Sequence, residues 1–308
     1  MPGDRRSRPA PALILVALAL VCWPTAARAE PACSSQAEVR VLVEGRGVLE
    51  SVGLDRRGRL FFTDSSAGEL LMLKRPGARP RLILDGIESP GGLVFRRDRS
   101  LLVGFGNGLQ QASDGTANPE AGLLKVNTQS GTAEVRAEGL QMANGVARGP
   151  GRAIYASNDI TGGVDRVRGG RVRLNWAPVE SANGMVADRE RESLFVNQTF
   201  TGGTIQRVPF DDPGAARTWF AADPPDQNVW FDGLTRAGSD RLYVAAVGAG
   251  EVWRVNGPGA ACVLASLDPF PRGPSDLAFG RKRGDFKPRS LYVTTFGGEL
   301  LELTGARG

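Results

Sequence analysis

The sequence predicts an all-β fold: a single six-bladed β-propeller whose ring is closed by the N-terminal strand joining the last blade. Three observations carry this. First, one pattern recurs six times: a key residue, a small or polar residue, a short apolar run, a polar turn and a second β-rich run. Second, the key positions are 41, 53, 39, 49 and 43 residues apart, the period of blades built from several short strands. Third, the sixth copy runs out one strand short, while an apolar stretch before the first copy belongs to no unit.

In chain order the copies open as Glu50-Ser51-Val52, Gly91-Gly92-Leu93, Asn144-Gly145-Val146, Asn183-Gly184-Met185, Asp232-Gly233-Leu234 and Ser275-Asp276-Leu277. Their second runs are centred on Phe61, Leu102, Tyr155, Phe195, Tyr243 and Tyr292. Unit one reads as strands over 51–54, 59–63, 70–74 and 80–84, with Arg56-Arg57-Gly58 as the first turn. Unit five repeats that order over 233–236, 241–245, 251–255 and 261–264. Runs rich in Val, Leu, Phe and Tyr suit half-buried sheets, and abundant Gly suits tight turns between them. Residues 106–121 form a polar insertion in unit two. Arg281-Lys282-Arg283-Gly284-Asp285 forms another in unit six and reads as a solvated loop. In unit six the chain stops soon after Leu300–Leu303, so the stretch from Glu38 to Val43 is expected to supply its outer strand and remove the open edges. A β-sandwich array is the alternative, but it predicts no repeated position of one chemistry.

The domain boundaries follow from the N-terminus. Arg5, Arg6 and Arg8 precede a 12-residue apolar stretch from Ala12 to Trp23, too short to span a bilayer, and Ala27-Arg28-Ala29 is a small-x-small cleavage site. Residues 1–29 are therefore read as a signal peptide cleaved after Ala29, residues 30–308 as the propeller, and the home as periplasmic or secreted. Removing the leader lowers the formal charge from +5 to +2, which weakens any case for nucleic acid. Cys33 and Cys262 remain, an even pair that suggests one disulfide in an exported protein. If the ring closes as predicted, Cys33 falls beside unit five, near Cys262. There is no histidine, so Ser-His-Asp and Cys-His triads, His-ligated zinc and His bases are excluded.

Equivalent positions in a closed ring converge on its axis. Glu50, Asn144 and Asp232 each stand 11 residues before the centre of the next strand, and Asn183 stands 12 before. A lone Asn-Gly or Asp-Gly is ordinarily a turn. Four oxygen-bearing side chains in one register instead point to a shared site, two carboxylates and two amide carbonyls suited to a hard divalent cation.

On these residues the mature chain resembles the senescence-marker-protein, gluconolactonase and luciferin-regenerating-enzyme family, and more distantly the paraoxonases. That resemblance implies one divalent ion, calcium first with zinc or manganese as alternatives, held by Glu50, Asn144, Asn183 and Asp232, and it implies hydrolysis of lactones or related esters. Asp232 is the expected proton acceptor, with Glu50 as the alternative base. Met142 stands where gluconolactonases carry an Arg for polar sugars, which puts a sugar lactone in doubt. Ser51 and Gly145 replace the acidic residues that hold a second calcium in paraoxonases. Ser157-Asn158-Asp159 resembles a paraoxonase Thr-Asn-Asp, with Ile160 in place of the His that follows. Met142, Asp159 and Phe231 are the expected substrate-lining residues, alongside Trp230; Phe105 is expected in the core.

The expected partner is a small molecule, with no nucleic acid, no membrane once the leader is gone, and a monomeric state. Two rival readings stand: a metal-independent strictosidine-synthase-like enzyme, and a non-catalytic binding propeller with structural calcium. The sequon Asn197-Gln198-Thr199 is read as chance, since a glycan there would obstruct the site.

Overall fold

A computed structural model describes residues 30–96, 100–108, 116–223, 228–238 and 241–307; the leader sequence lies outside them. The described residues form six four-stranded antiparallel sheets. Blade one comprises Leu49–Leu54, Leu60–Asp64, Glu69–Leu73 and Arg81–Leu84. Blade two comprises Leu93–Phe95, Leu101–Phe105, Asn118–Asn127 and Thr132–Leu140; blade three Val146–Arg148, Ile154–Ser157, Val164–Arg168 and Arg171–Ala177. Blade four comprises Ala182–Asp188, Ser193–Gln198, Thr204–Pro209 and Arg217–Ala221; blade five Phe231–Ala237, Arg241–Ala246, Glu251–Val255 and Ala261–Ser266. Blade six takes Pro274–Phe279, Leu291–Thr295 and Leu300–Thr304 from the end of the chain and Glu38–Val43 from the start. The first-named strand of each blade is its inner strand, and each touches the inner strands on both sides, so the ring is closed.

The predicted closure is realised with Glu38 opposite Thr304 and Val43 opposite Leu300. Just before that strand, the chain lies along the outer strand of blade five: Cys33 N donates to Val263 O and Val263 N to Pro31 O. This brings Cys33 and Cys262 to a Cα separation of 4.9 Å, where they form a disulfide.

The core is divided as a propeller requires. Six apolar clusters fill the six gaps between neighbouring blades. The residues that centre the second strands, Phe61, Leu102, Tyr155, Phe195, Tyr243 and Tyr292, are all buried there. The basic segment of blade six is not simply solvated. A side chain at Gly58 would strike the carbonyl of Arg283, and Arg281 Nε donates to Leu54 O at 3.1 Å, so this segment seals blade six onto blade one.

The repeated small residue after each key position has a packing cause. A Cβ at Gly92, Gly145, Gly184 or Gly233 would collide with Val146 N, Asn183 O, Asp232 O or Asp276 Cα respectively, always on the next blade round. These dipeptides are therefore not hairpin turns; the glycines let inner strands approach backbone to backbone. Gly233→Ala is expected to cost about 1–3 kcal/mol, the usual range for overpacking. Gly214→Ala, at an exposed position, should leave urea unfolding unchanged. Equal midpoints for the two variants would disprove this role.

Candidate metal centre and its mouth

Three of the four ligand candidates, all but Asn144, are aimed by a local irregularity. In blade one Leu49 pairs with Asp64 and Val52 with Phe62, so Glu50 and Ser51 together oppose Thr63. The same register shift falls at Asn183-Gly184 in blade four and at Asp232-Gly233 in blade five. Such a bulge turns a side chain that would lie on a sheet face along the strand's end instead. Its freed backbone groups need partners, and side chains of the second strands supply them. Ser51 N donates to Thr63 Oγ1 at 3.0 Å, and Gly145 N donates to Ser157 Oγ at 2.8 Å. Asn197 Nδ2 donates to the carbonyls of Asp232 and Gly233 at 2.9 and 3.0 Å. Asn197, the asparagine of the sequon, is thus fully buried and ties blade four to the inner strand of blade five.

Glu50, Asn144, Asn183 and Asp232 all line one axial tunnel of about 790 Å³. Asn144 Nδ2 donates to Asp159 Oδ1 at 3.0 Å and Asn183 Nδ2 to Thr199 Oγ1 at 2.9 Å. With the amide nitrogens held by protein, the amide oxygens are what each Asn retains for a ligand. Two residues missing from the sequence reading join the group. Asn107 Nδ2 donates to Glu50 Oε1 at 3.0 Å, while its own Oδ1 is buried without a partner among the described residues. Asp276 accepts from Ser51 Oγ at 2.7 Å and Val52 N at 3.0 Å, latching blade six to blade one. Ser275, the key residue of unit six, turns away to bond Leu49 O and Thr294.

Other expected residues fall differently. Asp159 is buried and bonded to Asn144. Phe231 is a correction: it is wholly buried between blades four and five, against Phe220 and Trp253, and is core rather than substrate wall. Packing an aromatic between blades outweighs exposing it at the mouth. Met142 is likewise buried, and Phe105 packs against the core between blades one and two. Phe200 and Phe270, each about half exposed at 50 and 51 %, are among the exposed apolar side chains at this end of the blades. They flank Trp230 edge-on, at centroid distances of 6.0 and 5.3 Å.

The site is an unbalanced concentration of acid. Burial first, then the charge of Asp159, pushes the Glu50 carboxyl up to about 8. Burial, followed by the charges of Glu50, Asp159 and Asp276, holds Asp232 well above the usual carboxylate range. Burial also raises Asp159 and Asp276 to about 6 each. No cluster of three or more acidic or thiol side chains among the described residues is arranged to hold an ion unaided. A cation would therefore need the Asn oxygens beside Glu50 and Asp232. The donor set fits one: clustered carboxyls lacking countercharge, and an orphaned carbonyl oxygen at Asn107.

This sets a pH dependence. A carboxyl whose folded-state pKa is raised holds its proton more tightly when folded. For Glu50 the stabilising effect is full below 4.5 and is lost as pH rises through about 8. Protein stripped of cations should thus lose stability between those values. Cation binding should release protons, tighten as pH rises, and restore the melting temperature at pH 8. Calorimetry in buffers of different ionisation enthalpy reads this directly; binding at pH 7 with no proton release would contradict it.

The family model for an SMP-30/Gluconolactonase/LRE-like region matches residues 49–297. No curated protein matches the sequence. Among solved structures, a gluconolactonase from Xanthomonas campestris is 15% identical with a TM-score of 0.68, covering 87% of this chain and 89% of that one. The calcium-binding protein regucalcin from Agrobacterium tumefaciens is 19% identical with a TM-score of 0.65, covering 87 and 94%. A virginiamycin B lyase from Staphylococcus aureus is 13% identical with a TM-score of 0.58, covering 85 and 82%. At these identities the structures establish the fold.

Proposed function

We infer that this chain, which belongs to the SMP-30/gluconolactonase/LRE-like family, is an exported, divalent-cation-dependent hydrolase of lactones or related esters that carry an apolar or aromatic group. The observation that carries this reading is the meeting of Glu50, Asn144, Asn183 and Asp232 in one tunnel, with both Asn amide nitrogens already engaged by protein. Those four residues would hold the cation, calcium by preference for an all-oxygen set. The cation would supply charge to offset the oxyanion that develops when the carbonyl is attacked.

The chain's own groups do the rest. Asp232 accepts the proton of the attacking water, and it passes that proton to the leaving alkoxide as the ring C–O bond breaks. Glu50 is held in place by Asn107. Asp159 fixes the orientation of Asn144. The lyase in the same fold class is inactivated by changing a single His to Ala; this chain has no histidine, which favours hydrolysis over that chemistry. The disulfide supports an oxidising compartment.

The apolar preference rests on Phe200, Trp230 and Phe270. Phe200→Ala should lower kcat/KM for an aryl-substituted lactone by about ten-fold, the scale of one lost apolar contact, and leave a small aliphatic lactone unchanged. Phe200 suits this test better than Trp230, whose φ of +43° sits two residues before Asp232. The reading as a whole is tested by pH-stat proton release on sugar, aliphatic and aryl lactones, before and after chelation and on adding back calcium, zinc or manganese. Metal-restored hydrolysis is expected. Turnover that survives chelation undiminished would overturn it, and cation binding with no hydrolysis of any substrate would leave a binding propeller.

A further inference from the structure

The opposite mouth of the same tunnel is built from arginine. Each of the six inner strands runs into one: Arg56, Arg96, Arg148, Arg189, Arg236 and Arg281. All but Arg96 line the axial cavity, joined there by Arg307 from the chain's end. Part of this repeat is structural. Arg148 Nη1 donates to Phe95 O at 3.1 Å, Arg281 Nε to Leu54 O at 3.1 Å, and Arg236 pairs with Asp188 at 2.9 Å. These three stitch neighbouring blades.

Stitching does not account for the others. Arg56 and Arg189 are exposed, and their side chains make no hydrogen bond or ion pair among the described residues. The Arg307 guanidinium rests on the Phe279 ring at 4.3 Å with its Nε buried and unpartnered. Local acids do not neutralise them: Asp55 is committed to Arg59, and Asp188 to Arg191 and Arg236. Glu50, Asp232 and Asp276 line the other end of the same cavity, and no arginine is among the charges that act on the first two. The cavity therefore offers three unsatisfied planar guanidinium groups around one concave opening, which concentrates a field that a single exposed Arg does not create.

We propose that this second mouth is a binding site for a compact molecule bearing two or more phosphate groups. Guanidinium forks match phosphate oxygens two at a time, and several at one opening reward an anion with separated phosphates over a monoanion. This mouth is one end of the axial cavity, whose whole volume, including the end lined by Glu50 and Asp232, is about 790 Å³. This does not depend on the hydrolase reading, since none of the three arginines lies in the acid cluster.

Fructose 1,6-bisphosphate is the probe, titrated by calorimetry into intact protein with its cation present, at low salt. Saturable one-to-one binding is expected, weakening steeply with added salt, with fructose inert. The Arg56→Gln/Arg189→Gln double variant should bind at least ten-fold more weakly with an unchanged melting temperature. Arg307→Gln should weaken binding by itself, which guards against an uninformative double variant. Absence of saturable binding, or equal binding by the double variant, would overturn the site. Equal binding of tricarballylate would overturn the choice of phosphate. Adsorption to anionic lipid vesicles that depends on the same arginines, with no bisphosphate binding, would assign the face to a membrane instead.

Discussion

Asp232→Ala should abolish turnover, lowering kcat/KM by about 10³-fold or more, because in the proposed mechanism one change removes both a cation ligand and the proton acceptor. Glu50→Ala should do the same for cation binding. The informative contrast is Asp276→Asn. Asp276 belongs to the same acidic group but spends its oxygens on Ser51, Val52 and Leu277. Its loss should lower stability while the cation still binds. Metal content by mass spectrometry, read beside the kinetics, separates the cases. Asp232→Ala enzyme that keeps full activity would end the shared-site reading, and equal metal loss in all three variants would show that the acids act as one undivided cluster.

Reducing the Cys33–Cys262 bond, or replacing both cysteines by Ser, should cost up to about 5 kcal/mol. The disulfide spans 229 residues, and in the chain-entropy model stabilisation grows with the length of the closed loop. The loss should be local in origin. The N-terminal segment would fray from Val263 and Leu264 first, then from Leu301 and Leu303, exposing two strand edges. Hydrogen exchange should therefore rise in 31–43 and 300–304 before it rises in blades two to four. Uniform loss of protection would mean that the staple stabilises the ring as a whole.

The fold was legible because the blade repeat is written in apolar runs that both interior packing and strand pairing demand. Even the closing strand was readable, since Glu38–Val43 had nowhere else to go. That Glu50, Asn144, Asn183 and Asp232 meet in one cavity was legible through their shared register. What stayed hidden were features set by backbone geometry. The bulge shifts unit six by one residue, so Asp276 faces the tunnel and Ser275 does not. Asn107 lay in what reads as a polar insertion, and only the fold brings its amide to Glu50. Phe231 was misread because alternation along a bulged strand no longer predicts which side a residue faces. The arginine at each inner-strand end was visible as letters, but its meaning needed the ring: separate surface charges became one mouth.

Closure by Glu38–Val43 also means that the ring has no privileged starting point. Glu38 and Thr304 are partners across one ladder, so a short linker joining the segments beyond them would leave every blade contact in place. The chain could then be opened at another surface turn, such as that at Gly257 and Gly259 between the outer strands of blade five, where added atoms would meet nothing. A circularly permuted protein of this kind should keep the same ladders and the same acid cluster. Blade six would then be continuous in sequence, and blade five would become the one assembled from both ends.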